Sequence, residues 1–310
     1  MKTEFSGFIS KLKRKPDSNK YDYGHILVVA GSKNTPGAGV LCSHGAMRAG
    51  AGLVTYACEE KFLTQAAAMS KPEIMFFVYK NAADIIDFAN SRKVSVMAIG
   101  PGLCLSSRLN GFIDEIISSV DMPVVLDASA LSAYEGKAKK LKNAKAKLIL
   151  TPHAGEFRKL LPKPCHSGLD PESILEHRRD IITTNVDTGF HRYDKLEKIN
   201  AVKNFAKQNS LTCLLKGHNT IVSDGKREYV NKSGTPAMAT AGSGDVLSGI
   251  ISAFCARGFN PFEAAKFGAY VHGLAGELSE KEKGENGVTA SDICEKVPYV
   301  LNKMRGCVDA

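Results

Sequence analysis

The 310-residue sequence predicts an α/β fold: a central, mostly parallel sheet flanked by helices and closing on a late β-hairpin. Three observations carry this. From Gly24 onward, strand, glycine turn and helix recur in that order. The strand segments are continuous apolar runs, as expected for strands covered on both faces. After Lys216 the alternation gives way to two short apolar runs flanking Gly225, and then to long helical periods. Strands that alternate with helices pair in parallel through right-handed crossovers.

The elements follow in order. Residues 1–20 are polar and are expected to form an N-terminal arm ahead of a single domain over 21–305. The first strand is 25–30, its glycine turn 31–37, and 38–48 a helix rich in small residues. Strands at 53–58, 74–78, 94–99, 123–126 and 147–150 continue the series, mostly with helical stretches between them. One helix begins near Glu156 and another spans 196–208. The segment 164–194 between them has proline punctuation, many charges and no sustained apolar period. It is expected to be an inserted surface loop, because lengthening a loop costs little entropy. Its wording is similar to peptides encoded by mobile palindromic repeats. The hairpin pairs 220–223 with 227–230, and helices over 244–257, 261–281 and 290–304 end the domain.

Composition narrows the function classes. Hydrophobic residues make up 44% of the chain, enough for a core. No apolar run approaches the ~20 residues that cross a bilayer. The start Met1-Lys2-Thr3-Glu4-Phe5 carries an acid and no apolar segment, unlike a signal peptide. A cytoplasmic protein without membrane contact is expected. The eight cysteines (42, 58, 104, 165, 213, 255, 294 and 307) form no CxxC pair, so they read as small buried hydrophobes in a reducing compartment rather than as zinc ligands. The net charge is +9, with basic clusters at 11–15 and 137–147, but no aromatic residues interleave with them to stack bases. Solvated faces and a bias towards small anions are expected, not nucleic acid.

Ligands of open parallel sheets bind at the carboxyl ends of the strands, so the turns there hold the candidate chemistry. Segment 31–39 is rich in glycine and opens a helix; it is either a phosphate cradle or a tight structural turn. Gly100-Pro101-Gly102 ends another strand and is either a flat ligand platform or a plain turn. His153 and Glu156 lie just past a strand, where the histidine can be functional or structural and the acid can serve only the helix start. The strongest signal is 240–254. There Gly242, Ser243 and Gly244 precede a helix whose Val246, Leu247, Ile250, Ile251 and Phe254 mark a buried face. Main-chain N–H groups at that start can hold an anion. Asp245 is either a helix cap or a catalytic carboxylate within reach of the reacting group, and the surrounding glycines favour catalysis.

These segments together resemble a known family. Gly242-Ser243-Gly244-Asp245 is similar to the anion-hole and base motif of ribokinase-like enzymes. With 24–31, 48–55, 99–103, 125–131, 150–157 and 215–220, it resembles the ADP/ATP-dependent NAD(P)H-hydrate dehydratase family over about 21–301, outside 164–194. The resemblance implies a ribokinase-like fold. It also implies a reaction in which a nucleotide phosphorylates the hydroxyl of hydrated NADH or NADPH and the phosphate is then expelled. ADP would give AMP and phosphate, and ATP is the donor in eukaryotic members. It implies Asp245 as base and the Gly242, Ser243 and Gly244 amides as anion hole. Lys216, Gly217, His218, Asn219, Thr220 and Gly244 would hold the nucleotide. Ala38, Gly39, Gly102, His153 and Asp245 would contact the hydrated cofactor, with Mg²⁺ at the phosphates and Glu156 contributing to it. A separate epimerase activity and a homo-oligomeric state are expected. The competing readings are a ribokinase-like kinase of thiazole or hydroxymethylpyrimidine, and an inactive nucleotide-binding sensor.

Overall fold

The computed structural model describes residues 2–162 and 195–306. The expected insertion, 164–194, lies outside them. Nine strands form one sheet: β1 His25–Val29, β2 Leu53–Cys58, β3 Met75–Val78, β4 Val96–Ile99, β5 Pro123–Leu126, β6 Lys147–Leu150, β7 Thr212–Leu215, β8 Ile221–Ser223 and β9 Glu228–Val230. Their order is β3-β2-β1-β4-β5-β6-β7-β8-β9. Pairing is parallel from β3 through to β7 and antiparallel between β7, β8 and β9. Strand β7 was not anticipated as a separate element. Thr-Cys-Leu-Leu is only four residues long, and it lies two residues past a helix with Ser210 at φ +54° between them, too short a run to show a period.

Both faces of the sheet are covered, which explains the unbroken apolar strands. On β1, Ile26 and Val28 enter one core and Leu27 and Val29 the other, all at 0% exposure. The first core packs the helices Pro36–Arg48, Ser243–Ala256, Pro261–Lys283 and Ala290–Gly306. The second packs Ala82–Ser91, Leu109–Ser119, Ala154–Leu160 and Lys195–Asn209. Glycines let two helices of the first core touch backbone to backbone. A Cβ at Gly249 would overlap the Cys42 carbonyl oxygen, and one at Gly45 would lie 3.1 Å from Val246 Cα. The helix Ser243–Ala256 is thereby fixed along its length. Of the described cysteines, Cys42, Cys58, Cys213, Cys255 and Cys294 are buried and Cys104 is exposed.

The start of the chain departs from expectation. Lys2–Leu12 is a helix, not a free arm. Its Phe8 is 2% exposed, stacks on Phe267 with ring centroids 4.0 Å apart and meets Phe254 edge-on at 5.0 Å. Polar composition hid two apolar residues that join the first core: Phe8, which enters a pocket of Phe254, Phe259 and Phe267, and Ile9, 7% exposed. Replacing Phe8 with Ala should cost roughly 3–5 kcal/mol by emptying that pocket, read as a lower denaturation midpoint.

Candidate functional site

The loops that follow β1, β4, β5, β6 and β7 gather at one sheet edge and are stitched together by main-chain hydrogen bonds. Gly31 N–H donates to Pro101 O at 2.8 Å, Gly100 N–H to Val29 O at 3.1 Å and Asp127 N–H to Ile99 O at 3.1 Å. Thr151 N–H donates to Leu126 O at 3.2 Å and Lys216 N–H to Pro152 O at 2.8 Å. The helix Ser243–Ala256 begins at this edge and ends against Gly24, at the opposite edge of β1. Its positive dipole end therefore points at the gathered loops.

Gly242 caps that helix with φ +85°, a left-handed conformation natural to glycine, and a Cβ there would overlap Leu41 and crowd Ala290. Ser243, Gly244 and Asp245 form the first turn. None of these amides bonds a carbonyl of the same helix, the condition for anion binding at a helix start, although Ser243 N–H donates to Thr240 O at 3.4 Å. Asp245 is partly buried, and its carboxyl is pushed up to about 7, first by burial and then by the nearby Asp127 charge, against the pull of Lys216. A carboxyl tuned close to neutrality suits a general base.

Lys216 closes the site from the end of β7. Its Nζ donates to Asp127 Oδ1 at 2.7 Å and lies 3.1 Å from where a Cβ of Gly244 would stand. Burial opposes its charge, but Asp127, Glu156 and Asp245 outweigh that and raise its pKa. Glu156 shares this field. Burial raises its carboxyl, opposed first by Lys216, and its Oε2 accepts the His153 N–H at 2.8 Å. His153 caps the helix Ala154–Leu160, with Nδ1 accepting from Gly155 N–H at 3.0 Å. The imidazole is 60% exposed, so it can both cap and meet a ligand.

The remaining predicted residues fall into three places. Ala38 and Gly102 adjoin: a Cβ at Gly102 would be 2.8 Å from Ala38 Cβ, and Thr35 Oγ1 donates to Gly102 O at 2.8 Å. Gly39 is buried below this surface, where a Cβ would overlap the Tyr56 ring, so the packing of Tyr56 alone accounts for a glycine there. Gly217, His218, Asn219 and Thr220 form the β7–β8 loop, with Asn219 at φ +59° and Thr220 Oγ1 donating to Gly217 O at 2.9 Å. Gly217 and His218 are exposed at its tip.

Two residues of the site had no predicted role. Asp127, just past β5, binds Lys216 and also accepts from Ser248 Oγ at 2.7 Å on the helix Ser243–Ala256. An acid at the carboxyl end of an apolar strand was the available signal. His272, on the helix Pro261–Lys283, places Nε2 3.3 Å from Ser243 Oγ; burial lowers its pKa to about 4 and keeps it neutral. Nothing in the sequence distinguishes that histidine.

Among the described residues no cluster of three or more His, Cys, Asp or Glu side chains is shaped to hold a metal, and no helix is long and apolar enough to cross a membrane. Glu156 and Asp245 are nevertheless hard oxygen donors whose charged forms burial disfavours despite Lys216, an effect that a hard cation arriving with phosphates would offset. An open cavity of ≈ 330 Å³ lies elsewhere, between the starts of β6 and β7 and Phe262, and no predicted site residue lines it.

Comparison with known proteins follows the same lines. The family model described as NAD(P)H-hydrate dehydratase matches residues 26–299. A bifunctional NAD(P)H-hydrate repair enzyme of Moorella thermoacetica is 35% identical over 94% of this chain and 52% of its own length. The chain thus spans about half the length of the first curated relatives it matches. An ADP-dependent (S)-NAD(P)H-hydrate dehydratase of Cenarchaeum symbiosum is 32% identical over 93% of this chain and 92% of its own. Among solved structures, the ADP/ATP-dependent NAD(P)H-hydrate dehydratase of Bacillus subtilis, co-crystallized with ATP and Mg²⁺, has TM-score 0.71 at 26% identity and covers 94% of both chains. A ribokinase-like superfamily protein of Enterococcus faecalis shares the fold at TM-score 0.72 and 22% identity, over 96% of this chain and 94% of its own.

Proposed function

Because the chain belongs to the NAD(P)H-hydrate dehydratase family, we propose that it returns the S-form of hydrated NADH and NADPH to the reduced cofactor, using an adenine nucleotide as phosphoryl donor. The observation that carries this reading is the start of the helix Ser243–Ala256, where a left-handed glycine cap, an open amide turn and a carboxyl tuned to about 7 meet.

The residues divide the chemistry. Asp245 accepts the proton of the ring hydroxyl as that oxygen attacks the terminal phosphorus, and the bond to the departing nucleotide breaks. The amides of Gly242, Ser243 and Gly244 receive the transferred phosphoryl oxygens, with the Lys216 ammonium beside them. Phosphate then leaves, the neighbouring ring carbon gives up a proton and the double bond returns. The 216–220 loop holds the nucleotide. Ala38, Gly102 and His153 orient the hydrated ring, and Gly39 shapes that floor through Tyr56. Mg²⁺ bound with the nucleotide would neutralise phosphate charge, and Glu156 is the side chain we assign to it. We place this chemistry in the single domain over 21–305, in a cytoplasmic homo-oligomer. Epimerisation of the R-form is assigned to a separate activity.

The test is incubation with hydrated NADH and ADP or ATP in turn. Recovery of NADH absorbance with equimolar phosphate is expected, together with AMP when ADP is the donor. A stable phosphorylated product without NADH would mean a kinase instead.

A further inference from the structure

We infer that Asp127 is a positioning residue for phosphoryl transfer: it holds the Lys216 ammonium against the first turn of the helix that carries Asp245. The inference rests on the reading of that turn as the phosphoryl site.

Asp127 is 1% exposed and fully engaged. Its Oδ1 accepts from Lys216 Nζ at 2.7 Å and from Ala128 N–H at 2.9 Å, while Oδ2 accepts from Ser248 Oγ at 2.7 Å. Three separate elements thus converge on one carboxylate: the end of β5, the end of β7 and the base helix one turn beyond Asp245. Ala128 pays for this with φ +49° and ψ −118°, a backbone conformation that a residue with a Cβ rarely adopts. A lysine side chain left alone would sample many rotamers in this opening. Pairing with Asp127 selects the one that puts its charge beside Gly244, whose amide belongs to the anion hole.

Asp127 is behind Lys216 in this chain of contacts and acts through it. Charge fixed in advance at a phosphoryl site helps the transition state more than the bound nucleotide, because no reorganisation is needed when charge shifts. Loss of Asp127 should therefore lower kcat more than it raises the nucleotide KM.

The experiment compares Asp127→Asn, Lys216→Met and the double variant with wild type in the hydrated-NADH assay with ADP, with folding followed by circular dichroism and thermal melting. Asp127→Asn is expected to lower kcat roughly 10- to 100-fold, the scale of a misplaced catalytic group, and to change the ADP KM by a smaller factor. The double variant should be no slower than Lys216→Met alone, because both changes remove one arrangement. A kcat within threefold of wild type, or losses that multiply in the double variant, would overturn the inference. If Asp127→Asn does not fold, Asp127→Glu takes its place under the same criteria, since it keeps the charge but displaces the ammonium. If wild type itself does not dehydrate hydrated NADH, the functional reading fails. Crystal structures of wild type and Asp127→Asn then judge the inference: the Lys216 ammonium must leave its place beside Gly244 in the variant, and an ammonium that stays there without Asp127 overturns it.

Discussion

Asp245→Asn is expected to lower kcat by roughly 10²–10⁴-fold, the contribution of a positioned general base, while leaving nucleotide affinity close to that of wild type. The same substitution should make the protein more stable above neutral pH. The folded chain holds this carboxyl at about 7, against about 3.9 for an unfolded aspartate. The fold therefore favours the protonated form. Stability from this group is fully present below about pH 4 and is lost as pH rises through 7. At pH 8 the asparagine removes a buried charge, and the unfolding free energy should rise by an amount on the order of 2–4 kcal/mol, read from the denaturation curve. At pH 4 the two proteins should melt alike. Activity runs the other way: kcat/KM should climb with pH and level off above about 7 in wild type, with the climb abolished in the variant. An acidic limb of the same position in Asp245→Asn would assign the titration to another group.

The second large effect concerns Gly249→Ala, a change of one methyl group well away from the reacting atoms. The new Cβ would overlap the Cys42 carbonyl oxygen and stand 2.7 Å from the Ala46 nitrogen, both backbone atoms of a neighbouring helix that cannot rotate aside. The two helices must separate. Overpacking of this kind costs roughly 3 kcal/mol, or about 5–10 °C in melting temperature for a domain of this size. Separation also shifts the start of the base helix, because Gly242 leans on Leu41 of the same partner. We expect kcat to fall at least tenfold at a temperature where the variant is still folded, since a displacement of about 1 Å at a catalytic group can cost 10²-fold. A variant that melts earlier yet turns over normally would show that helix packing and base placement are independent.

Much of this architecture was legible because the parallel strands are covered on both faces. Such strands read as unbroken apolar runs, and β1, β2, β4, β5 and β6 were recognisable for that reason. Glycine marked the site well: Gly242 must be left-handed to start its helix, and Gly102 must admit Thr35 and Ala38. Three features were hidden. Strand β7 is too short to show a period. The helix Lys2–Leu12 owes its place to two apolar residues in a polar segment, a tertiary effect that local composition cannot report. The Asp127–Lys216 ion pair joins residues 89 positions apart, and only the β5-β6-β7 order brings them together. Gly39 is the instructive intermediate: its need for a glycine was readable, but the reason is the ring of Tyr56 beneath it.

The most direct test of the account is a crystal structure with ADP, Mg²⁺ and a non-reactive analogue of the hydrated cofactor. The terminal phosphate should lie on the amides of Gly242, Ser243 and Gly244, with the Asp245 carboxylate within hydrogen-bond reach of the acceptor hydroxyl. A nucleotide seated away from that helix start, or a carboxylate turned from the phosphate, would contradict it.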